Sequence, residues 1–113
     1  MIRFKIDVLN ELSNKGFTRT ELRRHGLISQ ATMQNILDRT RLQFWTKEQI
    51  SENPRLSQMN INDVMMPGFD TINTICLLLE KDIGDVLEIT WTDDEIIGKH
   101  RLCEEIQKHR GRK

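Results

Sequence analysis

Apolar residues recur along this chain at helical spacing in several blocks, and the polar residues between them mark where each helix should start and stop. Ile2, Phe4, Ile6, Leu9 and Leu12 precede Gly16, so Phe4 to about Asn14 predicts an amphipathic first helix ended near that glycine, with Phe17 packed behind the next cap. Thr18 with Glu21 three residues on is a capping box for a helix over Arg19–His25. Gly26 then suits a left-handed stop, which a residue with a Cβ adopts only at a cost. After Leu27-Ile28, Ser29 can accept a hydrogen bond from the free amides of a helix running from Gln30 to about Arg39. The buried side of that helix should carry Ala31 or Met33 with Ile36 and Leu37, which leaves Ser29, Gln30, Thr32, Asn35 and Arg39 on a polar face. Further on, Asp70 caps a helix reaching Glu80, with Ile72, Ile75, Cys76 and Leu79 apolar. Asp82 caps a short one to about Glu88, and Asp85 falls in its first turn, where the helix dipole favours a negative charge.

Two segments lie outside this series. Residues 40–69 are longer than an ordinary loop, and Thr46 with Gln49 forms another capping box, predicting a helix over Lys47–Glu52 before Asn53-Pro54. With Leu42, Phe44, Trp45, Ile50, Leu56, Met59, Ile61, Val64, Met65 and Met66, the segment is too apolar for a simple linker. It is expected to fold back as a satellite cluster over the bundle; the alternative is a partner or dimer surface built on Trp45 and the Met65-Met66 pair. Asp93–His109 predicts a final helix with an acidic first turn and Ile96, Ile97, Leu102, Cys103 and Ile106 apolar, weakened by Gly98. That helix is expected to dock on the bundle or on a second copy. Its basic end, His109–Lys113, is either a solubilising tail or a phosphate contact.

The blocks FKIDVLNELSNKGFTRTELRRHGLISQATMQNILD, residues 4–38, and DTINTICLLLEKDIGDVLEI, residues 70–89, together resemble the Cro and phage-repressor-like helix-turn-helix regulators, the Xre family. The resemblance implies an all-α fold: a compact five-helix, lambda-repressor-like bundle over residues 1–89, interrupted by the insertion 40–69 and followed by the helical extension 90–113. It also implies sequence-specific binding of double-stranded DNA that regulates transcription. Carried over by position, Gln30–Arg39 becomes the recognition helix and Thr18–His25 the helix lying across the backbone. Ser29, Gln30, Thr32 and Asn35 would then face the major groove, where the Gln30 and Asn35 amides can pair bidentately with adenine and the Thr32 methyl can touch a thymine methyl. Thr18, Arg19, Arg39 and Arg41 suit phosphates, which position a protein without identifying bases; Arg23 and Arg24 are not assigned. The insertion departs from the family pattern, which usually passes from the third helix to the fourth through a short loop.

Composition bounds this reading. At 113 residues the chain makes one domain with room for a core, and its zero net charge looks wrong for a DNA binder until the charges are placed. Residues 1–45 carry eight Lys/Arg against four Asp/Glu, residues 46–97 three against eleven, and residues 98–113 six against two. Phosphate affinity follows the local field, so a basic N-terminal third can bind DNA on a neutral chain while the acidic middle faces away. Two cysteines do not make a disulfide framework and suit a reducing cytoplasm. His100 and Cys103 lack the further ligands of a zinc site, and neither a Gly-rich phosphate loop nor a nucleophile with a recognisable base is present. No metal, no cofactor, no membrane span and no catalytic activity are therefore expected. The partners expected are double-stranded DNA and a second copy as homodimer, because one recognition helix reads few base pairs. A protein partner held through 40–69 or 90–113 belongs to the competing reading, an antitoxin-like or regulator-binding interaction module.

Overall fold

The N-terminal segment Ile2–Phe4 is a strand, β1, rather than the start of a helix. The computed structural model describes residues 1–91 and 93–110. β1 pairs antiparallel with a second strand, β2 (Leu87–Ile89), in the register Ile2↔Ile89, Arg3↔Glu88 and Phe4↔Leu87. The chain is mostly helical, as the all-α expectation has it, and the pairing adds a small two-stranded sheet that was not expected. Helix α1 begins only at Val8 and runs to Asn14, because the Asp7 carboxylate accepts from the Asn10 amide and so sets the cap there. The helix ends near Gly16 as expected, and that glycine takes a positive φ of 92°.

Three other helices start where the sequence placed them: α2 at Arg19–Arg24, α3 at Gln30, and α4 at Lys47–Glu52 with its capping box complete on both sides. α5 (Phe69–Leu79) is capped at Gly68, two residues earlier than expected, so Asp70 falls in its first turn. α6 is shorter than expected, Ile83–Val86, because Leu87 onward is taken up by the strand. The core joins Phe4, Val8 and Leu12 to Leu22, Ile28, Met33 and Ile36, and these to Ile72, Ile75, Leu79 and Val86. Of the two α3 candidates, Met33 is buried and Ala31 exposed.

α3 continues to Phe44, so Thr40–Phe44 belong to it and not to the insertion. Its second half is held by β1 and by the insertion. The buried Arg39 guanidinium donates to the Ile61, Val64 and Ile2 carbonyls at 3.3, 2.6 and 2.9 Å. The Gln43 amide both donates to and accepts from the Phe4 backbone, each at 3.2 Å. The remaining insertion, from Trp45 to Gly68, folds back through two 3-10 turns, Leu56–Gln58 and Ile61–Asp63, with Leu56 and Val64 buried. Met66 packs on the core, whereas Met65 is exposed.

The last helix, α7 (Asp93–Arg110), does not dock along its own bundle: from Asp93 to Lys108 only Glu95 is less than exposed. Charged Glu95 and Lys99 interrupt its apolar stripe, which suits a helix left partly in water. The molecule measures 58 × 34 × 21 Å.

Candidate nucleic-acid interface

The turn between α2 and α3 is built from backbone hydrogen bonds that the sequence makes affordable. Gly26 (φ 67°) reverses the chain, and the amides of Leu27 and Ile28 both donate back to the Leu22 carbonyl, at 2.9 and 3.3 Å. Leu22 and Ile28 are buried, so the same residues that close the turn anchor it to the core. Thr18 Oγ1 accepts from the Glu21 amide and Ser29 Oγ from the Thr32 amide, each at 3.2 Å. Glu21 also draws Arg24 and His25 to itself at 2.9 and 3.2 Å, which occupies those two basic side chains on the helix surface.

Two polar hollows flank α3. One, about 220 Å³, lies between α2 and α3 and is lined by Arg19, Thr20, Arg23, Gln30, Met33, Gln34 and Leu37. Inside it the Arg23 guanidinium donates to Gln30 Oε1 at 3.2 Å. The second is about 520 Å³ and brings together Thr18, Arg19 and Arg41, three of the four residues expected at phosphates, beside Phe44 and Trp45. Arg41 stacks on the Trp45 ring, 4.8 Å from its centre, so a flexible cation is held at the mouth of the hollow. The fourth residue, Arg39, requires correction. It is buried and bonded to three carbonyls, and it braces the insertion and β1 instead of facing solvent. In the 3.6-residue period, position 39 turns away from Gln30 and Gln34 toward the packed side of α3.

The four residues expected to face bases sit in the first two turns of α3, but not alike. Gln30 is exposed and engaged by Arg23; Ser29 and Thr32 share a hydroxyl hydrogen bond of 2.9 Å at the cap; Asn35 is half-buried. Beyond them, Gln34 Nε2 donates to Asp38 at 3.0 Å, and Arg55 of the insertion clasps the same carboxylate at 2.5 and 2.9 Å. Burial alone would raise the Asp38 carboxyl, but the hydrogen bonds from Arg55 and Gln34, with the charges of Arg55 and Arg41, outweigh it and hold the group below its ordinary value. The insertion thereby neutralises a carboxylate that would otherwise repel phosphate from the middle of α3.

Because its folded value is depressed, the Asp38 pair contributes stability above the unfolded carboxylate value and loses it as pH falls through the folded one. Amides of Arg55–Met59 should therefore lose exchange protection in acid before those of Ile72–Leu79 do. Equal protection of both segments across that titration would show that the clasp does not hold the insertion.

Arg23 and Gln34 extend the candidate set beyond the expected one. Their signal is spacing: Arg19 and Arg23 are four apart on α2, Gln30 and Gln34 four apart on α3, so each pair shares one face. Cys76 is a half-buried core residue; burial, then the Asp82 and Asp85 carboxylates, push its thiol up and away from reactivity. Among the described residues no three His, Cys, Asp or Glu side chains come together as a metal site. In the basic end, residues 111–113 lie outside the described residues, so the phosphate contact considered for the tail is not placed. Among the described residues no helix is long and apolar enough to cross a membrane. No protein-family model, no curated protein and no solved structure matches the chain.

Proposed function

We propose that the protein is a sequence-specific, double-stranded-DNA-binding regulator of transcription that places the first half of α3 in the major groove. The observation that carries this reading is the hollow in which Arg19 and Arg23 of α2 meet Gln30 and Gln34 of α3: cations for phosphates beside amides for base edges, on two helices joined by a tight turn. The excess of basic residues over 1–45 supports it, and so does the pairing of Asp38 with Arg55. In this reading Thr18, Arg19 and Arg41 contact phosphates, Gln30 and Asn35 read bases, and two copies bind two half-sites about 10 base pairs or a multiple apart.

The test is selection of bound duplexes from a random pool at moderate salt, run beside a Gln30→Ala/Asn35→Ala variant. The parent is expected to enrich a defined motif. The variant is expected to lose that preference, each bidentate pair contributing about 1–3 kcal/mol of discrimination, and to keep its fold and nonspecific binding. A parent that enriches nothing while folded favours the second reading, a protein-interaction module. That reading draws on the exposed Phe69, Leu77 and Met65. A complex that survives high salt, together with an absence of selective DNA binding, would establish it.

A further inference from the structure

We propose that α7 is a dimerisation helix and that it pairs antiparallel with α7 of a second copy. The inference deepens the reading above by naming the surface through which two copies meet, and it is measured without DNA. An 18-residue helix containing Gly98 is marginal in water when it lacks tertiary packing, yet α7 leaves the bundle with Ile96, Leu102 and Ile106 between 38% and 54% exposed. With Cys103, these residues recur at spacings of three, four and seven, which places them along one side of the helix. Trp91, 68% exposed, stands beside that side and forms an apolar hollow of about 220 Å³ with Glu95, Ile96, Lys99, His100 and Cys103.

Charge selects both the occupant and its direction. α7 starts on Asp93-Asp94-Glu95, whereas the chain from residue 108 onward holds Lys108, Arg110, Arg112 and Lys113 with no acid among them. A second copy laid parallel sets acid against acid and base against base; laid antiparallel, each acidic start lies beside a basic end, and the two helix dipoles also oppose. The heptad positions of the stripe then set Ile96 against Ile106 of the other copy, so that Ile106 enters the hollow beside Trp91. Lys99 falls opposite Cys103, and Leu102 lies near the axis against its own copy. Such a contact is isologous and closes at two copies.

The experiment is sedimentation equilibrium of the full chain without DNA, with Ile96→Glu/Ile106→Glu and Leu77→Glu variants, and with Lys99→Cys under mild oxidation. The parent is expected to be a dimer. Ile96→Glu/Ile106→Glu should halve the mass without loss of the cooperative melting of the core, since neither side chain belongs to it. Leu77→Glu, on the exposed face of α5, should stay dimeric. Lys99→Cys should form an inter-chain disulfide to Cys103 faster than the parent links Cys103 to Cys103. A monomeric parent overturns the proposal, as does a dimer that Leu77→Glu dissolves and Ile96→Glu/Ile106→Glu does not. Faster linkage of Cys103 to itself overturns the antiparallel direction. A dimer that selects no DNA motif leaves this surface standing and sinks the regulator reading alone.

Discussion

Arg39→Met should destabilise the protein by about 3 kcal/mol, enough to lower the melting temperature by more than about 10 °C. A methionine fills much of the same space, but it cannot replace the donors that three backbone carbonyls require. Those carbonyls, of Ile2, Ile61 and Val64, belong to β1 and the insertion and cannot be mutated away, so they are left short of a partner where little water reaches. Arg39→Lys should recover only part of the loss, because one ammonium does not reproduce a planar fork that serves acceptors from two nitrogens. Thermal unfolding followed by circular dichroism measures the effect, and hydrogen exchange should show the loss first around Ile61–Val64. An unchanged melting temperature would mean that Arg39 is free to leave its carbonyls, and it would reopen a role at phosphates.

If the protein binds DNA as proposed, Arg19→Ala/Arg41→Ala should weaken binding to every duplex by a similar factor while leaving the preferred motif intact. Each lost phosphate contact lowers the magnitude of the slope of log K against log salt by about 0.9, so the double variant should flatten it by about 1.8. Trp45→Ala removes no charge but releases Arg41 from the ring it stacks on, and it should weaken binding by less than the loss of Arg41 itself. Binding measured across a salt series separates these cases. A slope unchanged in the double variant would move both arginines off the phosphates.

The starts of α2, α3 and α4 were legible because each rests on local chemistry. Thr18, Ser29 and Thr46 each accept from the amide three positions on regardless of what the rest of the chain does, and Gly16 and Gly26 turn the chain where a positive φ is required. The misses occurred where tertiary partners decide. Ile2, Phe4 and Ile6 fit period two as well as a helix, and what makes Ile2–Phe4 a strand is the pairing with Leu87–Ile89, more than 80 residues away. The same pairing truncates α6. Arg39 looked like a surface residue because ordinary charged side chains are; the insertion, whose path no local pattern dictates, supplies two of its three carbonyls and the guanidinium that pairs with Asp38, and β1 supplies the third carbonyl. For the candidate interface, residue types were readable at Gln30 and Arg19, while the hydrogen bond that joins Arg23 to Gln30 required knowing how α2 and α3 meet.

The first half of α3 has two faces: Met33 and Ile36 fill the core, and the residues on the outer face do not. Positions 30, 31, 34 and 35 contribute nothing to the main apolar cluster, whereas 39 and 43 are tied to the backbone of β1 and the insertion. Side chains at 30, 31 and 35 can therefore be exchanged in combination at little thermodynamic penalty, whereas a change at 34 also removes a hydrogen bond from buried Asp38; the scaffold that orients all four is fixed from the other end of the same helix. On the proposed function, chains that share this framework but recognise different targets can arise by substitution within residues 30–35, and a designer seeking a new preference has the same short stretch to randomise.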